Sequence, residues 1–324
     1  MQDHPDPLGV LSSTHAVVEQ ARHVTIHPEA VARLAQRLYQ ERPEPPVWDR
    51  ELHFFDGGGR TVNYLLLLDA LNFCFWGDPE TVWKIAFHGR VLSGYGALAG
   101  ALTRAIEEGV PVWDAAFLAE LDEATLAAIL RGWGEVPLFA ERLAIARETG
   151  LSLLNGYHGW FSNAVEQAGG SAIALVRRVL EHFPSFRDEV PYRGQTVRLY
   201  KRAQILCADL YGSFLGQSYG HFADMDQVTV FADYKLPQVL RELGVLEYGP
   251  DLAERVDQLE LLPPGSAWEV EIRAATVWAC ELVRRALAAR GEIVPAYRLD
   301  WYLWDLSQTL SMQHPHHRTR TIFY

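Results

Sequence analysis

The sequence predicts a mostly α-helical, multi-helix globular fold of two packed lobes, 1–190 and 191–324, close enough to form one structural domain. Three observations carry this expectation. Apolar residues recur at helical spacing in segment after segment, strand candidates are few and short, and a Pro- and Gly-bearing stretch interrupts the pattern past the middle of the chain.

In chain order, residues 28–41 (PEAVARLAQRLYQE) put Val31, Leu34, Leu38 and Tyr39 on one face, and Pro28 suits a first helical turn. The Pro-rich run 43–47 (PEPPV) reads as a tight connector. Residues 61–75 (TVNYLLLLDALNFCF) are apolar nearly all round, as a helix buried in the centre would be. Helical spacing continues at 95–108, 122–132, 137–149, 159–181, 197–213, 235–244, 249–259, 268–290 and 298–311. Asp122 is placed to cap its helix, and Gly150 to stop the one that follows. Extended candidates are confined to 83–87 and 228–231 (VTVF), too little for a large parallel sheet. The stretch 184–196 (PSFRDEVPYRGQT) is the expected break between lobes, with a site in the cleft they share.

Composition narrows the function. The 324 residues allow a substantial core, and 49% apolar with 22% charged residues is ordinary for a globular protein. The longest apolar run, around 65–68, is broken by Asp69 and Asn72, well short of the ~20 residues that span a bilayer. The start, MQDHPDPLGV, is acidic and lacks the apolar core of an export signal, so a cytoplasmic location is expected. Cys74, Cys207 and Cys280 lie far apart and form no CxxC pair, and they read as reduced, buried thiols. Twenty-nine basic against 41 acidic residues leave a net charge of −12, which argues against a nucleic-acid partner. One phosphate on a small ligand needs only a cation or two, or a helix N-terminus. Only Lys84, Lys201 and Lys235 are lysines among the basic residues, a weak hint of sites that want a compact point charge.

Four segments concentrate polar and aromatic side chains. In 51–63 (ELHFFDGGGRTVN) the three glycines permit a close approach or simply form a loop tip. Neither a Walker pattern nor GxGxxG is present, and no cofactor is expected. His53, between Leu52 and Phe54, reads by default as a satisfied core histidine. In 72–78 (NFCFWGD) the aromatics suit a core, whereas Asn72 must find hydrogen-bond partners, a ligand being one candidate. The third segment runs from 200–209 (YKRAQILCAD) into 216–238. There Lys201 and Gln204 share a helix face, and the extended 228–231 delivers Asp233 to a helix start. Asp233 either caps that helix or is held rigidly in a cleft where a negative charge does chemistry. In 297–305 (YRLDWYLWD), Asp300 pairs with Trp304 and Trp301 with Asp305 at spacing four. An acid beside an aromatic suits a planar heterocycle with N–H edges, or else surface carboxylates beside core tryptophans. His314, His316 and His317 lack a ligand spacing with a matching carboxylate, so no metal is expected.

Eight strings in order resemble the queuosine salvage family. They are HFFDGGG (53–59), LNFCFW (71–76), KRAQILCADL (201–210), YGHF (219–222), VFADYKLPQVL (230–240), VEIRAATVWACELVR (270–284), LDWYLWD (299–305) and HRTRTIFY (317–324). Each alone is weak; together they are specific and run through essentially the whole chain. The resemblance implies an all-helical fold related to helix–hairpin–helix DNA glycosylases but without DNA as substrate. It also implies hydrolysis of the N-glycosidic bond of queuosine 5′-monophosphate, releasing queuine for salvage into tRNA. It places the catalytic acid at Asp233 and a lysine partner at Lys201, and gives the base to His53, Phe231, Asp233, Asp300, Trp301 and Asp305. Trp301 stands where the family often has tyrosine, which keeps stacking and loses a hydroxyl. At Lys235 the family commonly has arginine, and no catalytic role is given to it.

The chemistry fits these residue types. Cleaving C1′–N leaves an oxocarbenium ion that a buried carboxylate stabilises, as a fixed charge or by transient covalent capture. Queuine is a 7-deazapurine, so the usual ring nitrogen is not there to take the leaving-group proton. His53 or a solvent-linked neighbour is left to supply it. Lys201 either binds the 5′-phosphate or sets the charge of Asp233. Neither a membrane nor an obligate protein partner is expected. The rival readings are a non-catalytic binding protein for a modified nucleoside and a nucleic-acid-binding helix–hairpin–helix protein.

Overall fold

The computed structural model describes residues 5–44 and 46–324. The reading of the first four residues, and Pro45 within the 43–47 connector, lie outside the described residues. Helices occupy about 54% of the chain, well above the ~30–35% of an average protein.

The first half of the chain begins with α1 (Val10–Val18), β1 (Val24–Ile26), α2 (Pro28–Glu41) and α3 (Gly59–Ala70). A hairpin of β2 (Lys84–Phe87) and β3 (Arg90–Ser93) follows, then α4 (Gly94–Glu107), α5 (Ala115–Ala119) and α6 (Glu123–Ile129). Next come α7 (Phe139–Tyr157), α8 (Ser162–Gln167) and α9 (Ala172–His182). The second half opens with the hairpin β4 (Glu189–Tyr192) and β5 (Gln195–Arg198), and continues with α10 (Lys201–Ser213) and α11 (Lys235–Glu242). It closes with β6 (Leu246–Tyr248), α12 (Pro250–Asp257), α13 (Ala267–Ala288) and α14 (Ala296–Thr309).

Among the described residues the sheets are three antiparallel pairs. Two are local hairpins, while β1 pairs β6 with Val24 opposite Tyr248 and Ile26 opposite Leu246. Together with packing of α1 and α2 on α13, this ties the first segments of the chain to its last third. One continuous set of buried apolar side chains runs through both halves, from Leu8 to Tyr324. Helix α3 is at its centre, buried on every side from Thr61 to Ala70. Cys74, Cys207 and Cys280 are buried free thiols.

Several local expectations are corrected. Gly150 does not stop a helix; α7 runs through it to Tyr157. A Cβ at Gly150 would lie 2.4 Å from the Ala119 nitrogen and 2.6 Å from the Ala115 carbonyl, so glycine is there because α5 crosses at backbone distance. The stretch 159–181 holds two helices. Gly169 and Gly170 both take positive φ, and Ser171 starts the second helix by accepting the Ala174 N–H. Residues 197–200 belong to β5 and a turn, so α10 begins at Lys201.

The 228–231 segment is extended but belongs to none of the three sheets. Its polar backbone is satisfied by side chains instead. The Gln204 Oε1 accepts from the Thr229 N–H at 2.8 Å, Asp300 Oδ1 accepts from the Phe231 N–H at 2.7 Å, and Arg273 Nε donates to the Ala232 carbonyl at 3.0 Å. β-Branched residues made the segment look like a strand. Helical neighbours supply its hydrogen bonds.

Candidate active site

The site is founded on the end of α3. The carbonyls at a helix C-terminus have no partner within the helix. Here each carbonyl from Ala70 to Cys74 accepts from a buried cation. Arg202 takes Ala70, and Arg142 takes Leu71 and Phe73, both at 2.6 Å, and Cys74 at 3.1 Å. Lys201 Nζ takes Asn72 at 3.1 Å. The guanidinium of Arg142 also lies over Phe73 and Phe75, and that of Arg202 over Phe73 and Phe186. Burial lowers both arginines to about 10, yet they remain charged, as the negative end of a helix favours.

Lys201 is delivered by a strained turn. Tyr200 sits at φ 51, a conformation costly for a residue with a Cβ. It is held by the Asp188 carbonyl, which accepts the Leu199 and Tyr200 N–H groups, and by its own hydroxyl, which donates to Glu189. The Asp188 carboxylate then accepts from the Lys201 N–H at 3.4 Å. Asp188 is itself gripped in two-pronged fashion by Arg273, at 2.9 and 2.6 Å. Because Arg273 Nε bonds the carbonyl of Ala232, one buried ion pair fixes the backbone at Lys201 and the backbone before Asp233.

Four carboxyl groups face the Lys201 ammonium: Asp69 from α3, Asp209 from α10, Asp233 at the start of α11 and Asp300 from α14. Asp233 is partly buried, and its Oδ1 accepts from Lys235 and Leu236 N–H at 2.8 and 2.9 Å. It therefore caps α11 and faces the cluster at once. Burial raises its pKa, opposed first by Lys201 and then by those two N–H groups. Burial likewise raises Asp69, which accepts from the Asn72 amide at 3.2 Å, and lifts Asp209 and Asp300 well above the carboxylate range. Asp69 and Asp209 each keep one buried Oδ2 without a hydrogen-bond partner. Like charges in a dry site cannot all be ionised, so burial and mutual repulsion push these carboxyls toward their neutral forms. Lys201 is pushed down by burial and held up by Asp233, Asp69 and Asp300.

Beside the cluster stands an aromatic wall. Trp48 packs on His53 with ring centroids 4.3 Å apart, and its indole nitrogen is buried and unbonded. His53 lies between the Asp49 carbonyl on Nδ1, at 2.7 Å, and the Tyr95 hydroxyl on Nε2, at 2.9 Å. Burial lowers His53 to about 4, so the ring is neutral. Tyr95 also reaches Asp209, which joins wall and cluster, and stands edge-on to Trp304. Trp301 packs edge-on to Tyr297 and, with Trp48, lies over the bare backbone of Gly212.

The structure thus brings Lys201, Asp233, Asp300 and the Asn72 carbonyl together, ties the Phe231 backbone to Asp300, and sets His53 and Trp301 at the wall. Asp305 is apart from the cluster, exposed near Tyr302 at the far end of α14. Asp69, Asp209, Tyr95, Asp188 and Arg273 were not singled out from sequence as site residues. For Asp69 a signal existed, since a carboxylate within a helix apolar all round demands a partner. The three C-terminal histidines diverge. His314 meets Asp257, His316 bonds the His317 carbonyl, and His317 meets the Tyr324 hydroxyl.

Comparison with known proteins converges on one family. A profile described as queuosine salvage protein matches residues 52–324. A protein of Sphaerobacter thermophilus named queuosine 5′-phosphate N-glycosylase/hydrolase is 53% identical over all of both chains. A mouse protein of that name is 36% identical over 98% of this chain and 99% of its own. One from Schizosaccharomyces pombe is 32% identical over 85% and 83%. On the strength of this full-length similarity, the chain belongs to the queuosine salvage protein family.

Proposed function

We propose that the chain hydrolyses the N-glycosidic bond of queuosine 5′-monophosphate and releases queuine for salvage into tRNA. The observation that carries this reading is Asp233, a carboxylate immobilised by two backbone N–H groups beside the Lys201 ammonium. A charge fixed in that way needs no reorganisation when the oxocarbenium forms, and a low-dielectric surrounding strengthens its effect. Asp233 stabilises C1′ as a charge or by covalent capture. Lys201, bonded to Asn72 and ringed by carboxyls, keeps Asp233 ionised. Asn72 acts through its carbonyl on Lys201 and its amide on Asp69.

Phe231 and Trp301 stack on the base, Asp300 reads its N–H edge, and Asp305 at the rim answers the ligand's ammonium or diol. Water supplies hydroxyl to C1′ and, in sum, a proton to the departing base. Tyr95, bonded to neutral His53 and within reach of Asp209, offers the path for that proton. The substrate enters between lobes 1–190 and 191–324, since Asp69, Asn72 and His53 come from one and Lys201, Asp233 and Asp300 from the other. The proposal includes kinship with helix–hairpin–helix glycosylases, action in the cytoplasm, and no cofactor, nucleic acid or obligate protein partner. Among the described residues no helix is long and apolar enough to cross a membrane. The test is incubation with queuosine 5′-monophosphate and detection of free queuine by mass spectrometry. Tight binding without release of base would instead make it a binding protein.

A further inference from the structure

We propose that the 5′-phosphate of the substrate is held by Lys235 and Arg318 on either side of His316, and not by Lys201. This rests on the reading that the substrate is a nucleoside 5′-monophosphate. Lys201 is 5% exposed, its Nζ is already bonded to the Asn72 carbonyl, and its charge is engaged by Asp233, which leaves a phosphate no room to reach it.

On the other side of Asp233 the field reverses. Lys235, two residues along, and Arg318, from the C-terminal segment, both act on the His316 ring, which packs 4.6 Å from the ring of Tyr234. Trp76 forms the back of this corner, 6.0 Å from His316 and with the Arg318 guanidinium 5.5 Å above it. Neither cation makes an ion pair within 4.0 Å among the described residues, in a chain carrying 12 excess negative charges. Arg318 Nε is buried with no hydrogen-bond partner, and the Lys235 ammonium, which feels the charge of Asp233, has one long 3.5 Å hydrogen bond to Gln238. A buried guanidinium nitrogen left unbonded is costly, and a bound oxyanion would satisfy it.

The corner is also built to stay in place. Arg318 accepts the Leu262 N–H at 2.7 Å on its carbonyl, and Gln238 donates to the His314 carbonyl at 2.7 Å. These bonds hold the 314–318 segment against the first turn of α11. Phosphate bound there would sit beside the carboxylate of Asp233, so that one helix start orients the ribose from both sides. His316 is already lowered to about 4 by burial and by the two cations, so it would meet the phosphate as a neutral hydrogen-bonding ring.

The experiment compares kcat/KM for queuosine 5′-monophosphate and for unphosphorylated queuosine in the full-length protein, and titrates ribose 5-phosphate calorimetrically. Arg318→Gln and Lys235→Gln should each lower the nucleotide-to-nucleoside ratio about 10- to 150-fold, the loss of one charge-assisted contact. Both should weaken ribose 5-phosphate binding, and Arg318→Lys should recover part of it. Lys201→Met should slow both substrates alike and leave the ratio unchanged. A ratio that is unaltered in both glutamine variants, or that collapses only in Lys201→Met, overturns the assignment. If the wild type cleaves neither substrate, the catalytic reading fails. Ribose 5-phosphate binding that is lost in Arg318→Gln would still uphold the subsite, and equal binding by wild type and variant would refute it.

Discussion

Lys201 is the residue on which the charge of the site turns. Its ammonium is the strongest opposing charge at Asp233, and burial alone drives that carboxyl toward its neutral form. An opposite charge at contact range lowers a carboxyl by ~1–3 pH units. Lys201→Met should therefore move the acid limb of the kcat/KM–pH profile upward by about one unit or more. Activity would then be lost at a pH where the wild type still works. An acid limb at the wild-type position would show that Lys201 does not set the charge of Asp233. His317 allows a separate test of linkage. Burial lowers it to about 3 against ~6.5 in the unfolded chain. A folded-state pKa below the unfolded value means that the unfolded chain binds the extra proton. The stabilisation is complete above about pH 6.5 and shrinks as pH falls toward the folded-state value. Urea denaturation from about pH 7 to 5 should show His317→Gln losing stability less steeply, by up to ~1.4 kcal/mol per pH unit. Parallel curves would contradict the neutral, buried assignment.

At the scale of elements, α7 shows how a crossing distance outweighs local propensity. Gly150→Ala would gain ~1 kcal/mol of helix propensity in an isolated helix. Here the added methyl meets the Ala119 nitrogen and Ala115 carbonyl of α5, and overpacking costs ~1–3 kcal/mol. The variant should melt at lower temperature; a higher Tm would mean that α5 gives way freely. The same position marks where sequence reading ran out. Periodicity placed α2, α4, α13 and α14 well, because one face of each is apolar over several turns; it carried α3 on to residue 75, whereas the helix ends at Ala70 and Cys74 takes a positive φ. It could not see that α7 continues through a glycine, since that glycine answers to a helix 31 residues or more earlier in the chain. Nor could it tell the extended 228–231 from a strand, because only Gln204, Arg273 and Asp300, distant in sequence, supply its hydrogen bonds. The short α1 and α5 passed unnoticed for a related reason: their turns are few and their partners, α13 and α7, are remote.

At the scale of the whole molecule, the long helices and hairpins serve to bring one end of α3 against the starts of α10 and α11 and the side of α14. Sequence pattern and resemblance identified Lys201, Asp233 and Asp300, which the fold gathers. Asp69 and Asp209 stayed hidden because their meaning depends on which helices become neighbours. In the proposed reaction the charge of Asp233, and not its shape, drives hydrolysis. The direct test is single-turnover cleavage of queuosine 5′-monophosphate by Asp233→Asn, with thermal melting on the same preparation. Asparagine caps helices about as well as aspartate, so the Tm should hold. Removing one neutral oxyanion-hole donor costs ~10²–10³ in rate elsewhere, and loss of a full charge should cost at least that. Cleavage by Asp233→Asn near the wild-type rate, with an unchanged Tm, would contradict the account.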